Sequence, residues 1–252
     1  MLYTAKTLKG YKLHSLDGDI GMVKGFYFDD RHWTVRYLVA DTGTWLVGRK
    51  VLISPYGVNN VIKGENALSV ALTKKQIEKS PALGKHKPVS LQFEDDYYGY
   101  YDWPTYWSGF SVWGRHPYIE RDRNKWEKSI PGTKSWDRHL RSTNSLTGYR
   151  LQALDGEIGH IEDFVIDDET WAIRYLVVGT KKWWPGKTVL VSPQWIERVT
   201  WSESSVDINL SREAIKDSPE YTEKSLLTRD YELGLHRHYN RKGYWIDELA
   251  AV

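Results

Sequence analysis

The chain states one unit twice, and no other feature of the sequence limits its fold so strongly. Adding 138 to a residue number in the first half gives its counterpart in the second. Leu8, Gly10 and Tyr11 return as Leu146, Gly148 and Tyr149. The run Leu16-Asp17-Gly18-Asp19-Ile20-Gly21 returns as Leu154-Asp155-Gly156-Glu157-Ile158-Gly159. Arg36-Tyr37-Leu38-Val39 returns as Arg174-Tyr175-Leu176-Val177, and Ser54-Pro55 as Ser192-Pro193. Residues 8–107 and 146–245 align without a gap, with 34 identities over 100 positions. Such constancy over one offset reads as duplication, and a repeat has to be recognised before any fold is assigned. The predicted organisation is a first unit over 1–107, a connector over 108–145 and a second unit over 146–252.

Within a unit, Gly18 and Gly156 follow aspartates in pairs that favour tight turns with positive φ. Residues 20–28 and Trp33 to Ala40 read as a hairpin around the polar turn Asp29-Asp30-Arg31-His32. On the second strand Trp33, Val35, Tyr37 and Val39 share one face, and Thr34, Arg36 and Leu38 the other. Short strands are expected near 46–53, 58–63 and 67–72. A short helix is expected to start at the N-cap Thr73 and end before Pro81, repeated from Ser211 to Pro219. Several short strands separated by turn signals suggest a sandwich or small barrel. The predicted fold is mainly β: two small barrels, each followed by a short helix and an aromatic, partly helical tail.

Composition removes several chemistries. There is no cysteine, so disulfides, thiolate nucleophiles and Cys-based zinc sites are absent. The formal net charge of +2 is too small to argue for a polyanionic partner. No apolar run approaches the roughly 20 residues of a membrane span. Met1 to Lys6 lacks the apolar stretch of a secretory signal. A cytoplasmic or membrane-peripheral location is expected.

The order of these motifs resembles the PRC-barrel domain: Leu-x-Gly-Tyr, the Leu-Asp-Gly turn, the Asp-Asp…Trp…Arg-Tyr-Leu-Val hairpin and the strand ending in Ser-Pro. That domain is similar to the cytoplasmic part of the photosynthetic reaction centre H subunit and to the C-terminal domain of the ribosome maturation factor RimM. The resemblance covers about 75 residues in each half. It implies a compact β-barrel that acts by binding other macromolecules, with no catalytic residues to carry over. The chain lacks the transmembrane helix of the H subunit and the N-terminal domain of the ribosome factor.

Arg36 and Arg174, mid-strand in both copies, are anchors for an acidic partner, or are paired with a nearby carboxylate such as Asp29 or Asp167, or face solvent. Asp29-Asp30 and Asp167-Asp168 read as turn residues, because neighbours on a strand point to opposite faces and make a poor acid/base couple. Asp17-Gly18-Asp19 lacks the ligand spacing of a calcium loop. His236 and His238 have Tyr98 and Tyr100 as counterparts, so the unit itself does not require imidazole.

The tails hold the densest aromatic run. Tyr98, Tyr101, Trp103, Tyr106 and Trp107, with Tyr239, Tyr244 and Trp245 in the second copy, are candidates for an adhesive surface or for rings folded back over the barrel. The connector from Arg115 to Arg141 carries eight Lys or Arg against four Asp or Glu, with Trp113, Trp126 and Trp136 interleaved. It reads as a solvated linker or as a contact for RNA or an anionic membrane. No cofactor or metal is implied.

The expected function is that of a non-enzymatic tandem binding or adaptor protein. It would mediate protein–protein association, including its own dimerisation, in an assembly such as one like a reaction centre or peripheral to a membrane. The alternatives are a small-ligand binder or enzyme with a pocket between the repeats, and a ribosome- or RNA-associated factor.

Overall fold

The computed structural model describes residues 1–46, 49–82, 89, 91–106, 139–180, 187–222 and 225–246. The chain is mainly β and divides into two compact units. A first unit spans Lys9–Leu140, and a second combines Met1–Leu8 with Arg141–Val252.

The first unit is built on β2 (Lys12–Ser15), β3 (Gly18–Asp29), β4 (Thr34–Asp41), β5 (Val51–Ile53), β6 (Val58–Ile62) and β7 (Ala67–Val70). Their order in the sheet is β5-β4-β3-β2-β7-β6. All pairings are antiparallel except β2 with β7. The second unit repeats this order with β9 (Arg150–Ala153), β10 (Gly156–Asp167), β11 (Ile173–Gly179), β12 (Thr188–Val191), β13 (Ile196–Thr200) and β14 (Ser205–Ile208). The expected closed barrels do not form. Each sheet is an open path of mixed pairing, from β5 to β6 or from β12 to β13, and neither is closed as a barrel.

The seventh strand of each sheet comes from outside the expected repeat. β1 (Leu2–Thr4), at the start of the chain, pairs with β10, matching Leu2 with Asp167 and Thr4 with Val165. β8 (Leu140–Ser142), which directly precedes the second copy, pairs with β3. The strands correspond at the same offset of 138, as do the short helices α1 (Ala5–Leu8) and α4 (Thr143–Leu146) that follow them. The correspondence therefore begins at Leu2 and Leu140, six residues earlier in each copy than the alignment suggests. Each sheet takes its extra strand from the start of the other copy.

The long strands carry the same irregularities. Against β4, β3 shifts register between Val23 and Gly25 and between Tyr27 and Phe28; β10 does so against β11 at the corresponding Ile161/Asp163 and Val165/Ile166. Bulges that recur at matched positions set the bend of the sheet. Gly21 explains one invariant of the repeat. It has φ +122°, and a Cβ there would lie 2.0 Å from the Asp41 carbonyl oxygen; at Gly159 a Cβ would lie equally close to the Gly179 oxygen. Neither site admits a side chain.

Trp33 and Trp171 fall in the hairpin turn rather than on the strand, with φ of 52° and 58°. Left-handed backbone is costly for so bulky a residue. Both indoles are buried, and that burial offsets the strain.

Five consecutive residues, Thr34 to Leu38, are buried on β4, so both faces of the strand are covered. The tail provides one of the covers. α2 (Lys74–Lys79) opens with a reciprocal capping box between Thr73 and Gln76 and ends at Ser80, before Pro81. α3 (Leu91–Tyr101) then lays Tyr97 and Tyr98 over Tyr37, Leu52 and Leu140 in one buried cluster. Burying a ring of this size stabilises by roughly 1.5–3 kcal/mol. α5 (Arg212–Lys216) and α6 (Arg229–His238) are the second copy's counterparts, capped by Ser211 and Thr228.

Candidate binding site

Two constructions stand out in the tail regions, a polar one present in both copies and an aromatic one in the first alone. The shared construction begins at Arg36 and Arg174. Both are buried, and each meets the carboxylate seven positions before it. Arg36 Nη2 donates to Asp29 Oδ2 at 3.1 Å, and Arg174 Nη2 to Asp167 Oδ2 at 2.8 Å. Each guanidinium also lies over a tail ring, 4.2 Å from the centroid of Tyr106 and 3.9 Å from that of Tyr244. The Tyr106 hydroxyl donates to Glu94 at 2.9 Å, and the Tyr37 hydroxyl donates to the same oxygen at 2.9 Å. In the second copy Tyr244 and Tyr175 donate to Glu232 at 2.8 and 2.9 Å.

This assembly pins the tail to the sheet. Burial opposes the charge on Asp29, but the His32 hydrogen bond and the Arg36 guanidinium outweigh it and hold the carboxyl well below the ordinary range. Asp167 is lowered in the same way, burial again opposing and Arg174 prevailing. Buried charge that is paired and hydrogen-bonded fixes geometry, and breaking one partner is costly. These arginines have no exposed surface to offer a partner.

The other tail residues sort by exposure. Tyr98, Tyr239 and Tyr244 are buried; Tyr101, Trp103, Tyr106 and Trp245 are partly exposed. Trp107 lies outside the described residues, as does the connector as far as residue 138, with Trp113, Trp126, Trp136 and every Lys or Arg of the Arg115–Arg141 stretch except Arg141. His236 is buried, with Nδ1 donating to the Lys242 carbonyl at 2.9 Å and Nε2 lying 3.1 Å from the Tyr175 hydroxyl; burial lowers its pKa. His238 Nε2 donates to the Ala214 carbonyl at 2.7 Å, and its counterpart Tyr100 donates to the matching carbonyl of Gln76 at 3.0 Å. Both histidines thus hold structural bonds. No group of three or more metal-binding side chains occurs among the described residues.

The unshared construction is a cleft of about 400 Å³ in the first unit, bordered by Tyr56, Ala71, Tyr100, Tyr101, Asp102 and Trp103. Its aromatic wall is ordered by stacking. Tyr101 and Trp103 lie 4.5 Å apart at 15°, and Tyr56 lies 5.7 Å from Trp103. The indole sits there because residue 57 is glycine: a Cβ on Gly57 would meet Trp103 Cη2 at 3.1 Å. Burial pushes Tyr101 up to about 12 and raises Tyr56, so both phenols stay neutral at physiological pH. Asp102 is exposed at the rim, in left-handed backbone with φ 55°. Among the described residues its carboxylate has no hydrogen-bond or ionic partner.

The second copy fills the same place from the other direction. Residue 195, opposite Gly57, is a buried tryptophan packed 4.7 Å from Tyr239 and 5.3 Å from His236. Position 241, opposite Trp103, is arginine, and its Nη2 donates to the Asn209 carbonyl at 3.0 Å. Asp102 is replaced by Asn240 and Tyr56 by Gln194. Sequence reasoning picked out Tyr101 and Trp103 but not Tyr56 or Asp102. The available signal was the exchange of Gly57 and Trp103 for Trp195 and Arg241.

No protein-family model matches the chain, and no curated protein matches it. Among the described residues no helix is long and apolar enough to cross a membrane.

Proposed function

We propose that the chain is a non-enzymatic adaptor, a tandem of units related to the PRC-barrel and opened along one side, that joins protein partners through its tail regions. One observation carries this reading: the copies share a buried polar pin and differ at the partly exposed residues beside it. The Arg–Asp–Tyr–Glu pin recurs in both copies with the same four residue types and the same contacts between them, as a scaffold would. Around the aromatic cleft Tyr101 recurs as Tyr239, but Tyr56, Asp102 and Trp103 do not recur, as expected if each copy serves a different contact. Partly exposed Tyr and Trp side chains held rigidly by their neighbours are the kind that anchor protein interfaces. Linking two such surfaces adds avidity when both engage.

The test is affinity capture with cross-linking from the native source. The full chain is compared with a variant carrying Tyr56→Gln and Asp102→Asn, the residues of the second copy. The expected result is a defined set of proteins whose recovery drops several-fold with the variant. Recovery equal to a blank support, or unchanged by the variant, overturns the reading. Light scattering addresses the dimer: a monomer at about 50 μM, far above the Kd of most stable dimers, excludes the chain itself as the partner.

A further inference from the structure

The aromatic cleft of the first unit has a counterpart that already holds a cation. In the second unit the Arg241 guanidinium lies at the carbonyl of Asn209. The residue corresponding to Asn209 is Ala71, and Ala71 borders the cleft. The second copy therefore shows what chemistry this location accepts: a planar cation bonded to the backbone at the end of β14. The first copy has no arginine there. Its tail instead places Trp103 there, stacked on Tyr101, a ring that both copies keep; Tyr56 lies beside the indole, and the Asp102 carboxylate stands at the rim.

Each of these differences favours a cation brought from outside. Aromatic faces attract a guanidinium through the ring quadrupole, and tryptophan does so most strongly. Arginine is less strongly hydrated than lysine and stacks on planar rings, which suits a cleft walled by stacked aromatics. A carboxylate without a partner is the natural second contact, since guanidinium and carboxylate match in a two-pronged geometry. The second copy, which carries its own cation, has neutral asparagine at the Asp102 position and glutamine at the Tyr56 position. Carboxylate and aromatic wall occur together in the copy that lacks an arginine of its own.

We propose that the cleft lined by Tyr56, Tyr101, Asp102 and Trp103 binds the guanidinium of an arginine side chain displayed by a protein partner. The proposal rests on the adaptor reading and names the chemistry of its first contact.

The experiment titrates the peptide acetyl-Gly-Arg-Gly-amide into the ¹⁵N-labelled full chain. The Trp103 indole N–H signal, identified by its loss in Trp103→Phe, is followed. The control peptide carries citrulline, which keeps the shape and removes the charge. The expected result is a saturable shift of the Trp103 signal with Kd on the order of millimolar. Citrulline binding should be weaker by about tenfold, and Asp102→Asn should weaken arginine binding by about three- to tenfold. Asn240 occupies left-handed backbone with φ 49° in the second copy, so the Asp102→Asn substitution suits the fold. No saturation by about 50 mM arginine peptide, or equal binding of citrulline, overturns the proposal. If partner capture still depends on Tyr56 while the arginine peptide fails, the adaptor reading stands and this inference falls.

Discussion

In the first copy a glycine at 57 makes room for Trp103 to fold in from the tail, and an open cleft remains beside the indole. In the second copy Trp195 rises from the sheet side, and position 241 becomes an arginine that reaches out to a backbone carbonyl. The volume is filled by one indole either way, but the source of the indole decides what the surface offers. Beneath this exchange the Arg–Asp–Tyr–Glu pin keeps its four residues and the contacts between them. A duplicated scaffold can therefore diverge at its surface while its buried polar contacts stay fixed, because the interior penalises single changes far more than the rim does.

The largest effects should come from breaking the pin. Asp29→Ala leaves Arg36 buried without its carboxylate and is expected to cost about 3–5 kcal/mol in urea denaturation of the full chain. Asp167→Ala should cost less, since Asp167 is 13% exposed against 6% for Asp29. Equal losses would mean that burial does not set the difference between the copies. Trp195→Gly should cost about 3 kcal/mol by emptying its site. Adding Arg241→Trp should recover a measurable part of that loss by recreating the first copy's arrangement. A double variant no better than the single would break the proposed exchange of indoles.

A smaller effect separates the copies by pH. His236 is held neutral by burial, so its folded pKa lies below the ordinary value of about 6.5. Its unfolded form takes up a proton first as pH falls, so the stability it contributes is full above about pH 6.5 and is lost below it. His236→Tyr, the residue of the first copy, should flatten the fall in melting temperature between about pH 7 and pH 5. An unchanged slope would place that pH dependence elsewhere. The smallest effect is expected of Asp102→Asn, within about 0.5 kcal/mol of the parent, because the side chain is exposed and asparagine tolerates left-handed backbone.

Much of the fold was legible where one residue dictates local geometry. Gly18 and Gly156 mark turns with φ +130° and +133°, Thr73 and Ser211 cap helices, and Pro81 and Pro219 follow their ends. The Arg36–Asp29 pair was within reach for the same reason, as both residues recur seven positions apart across one hairpin. β1 and β8 escaped because three residues carry no periodicity, and their partners lie 161 to 165 residues away or in the preceding copy. Sheet closure was inferred from resemblance and from strand count, neither of which specifies whether β5 meets β6. The cleft escaped because it depends on packing between Gly57 and Trp103, 46 positions apart, and on a carboxylate that no local pattern distinguishes.

The traded strands have a consequence that concerns time. A polypeptide is made from its N-terminus, so Leu2–Thr4 exists long before β10, the strand it will join. The first unit faces the opposite order: its sheet lacks β8 until Leu140 has been made, after the rest of that unit is complete. Each sheet is thus finished by residues at the start of the other copy: in one case a strand waits for its sheet, in the other a sheet waits for its strand.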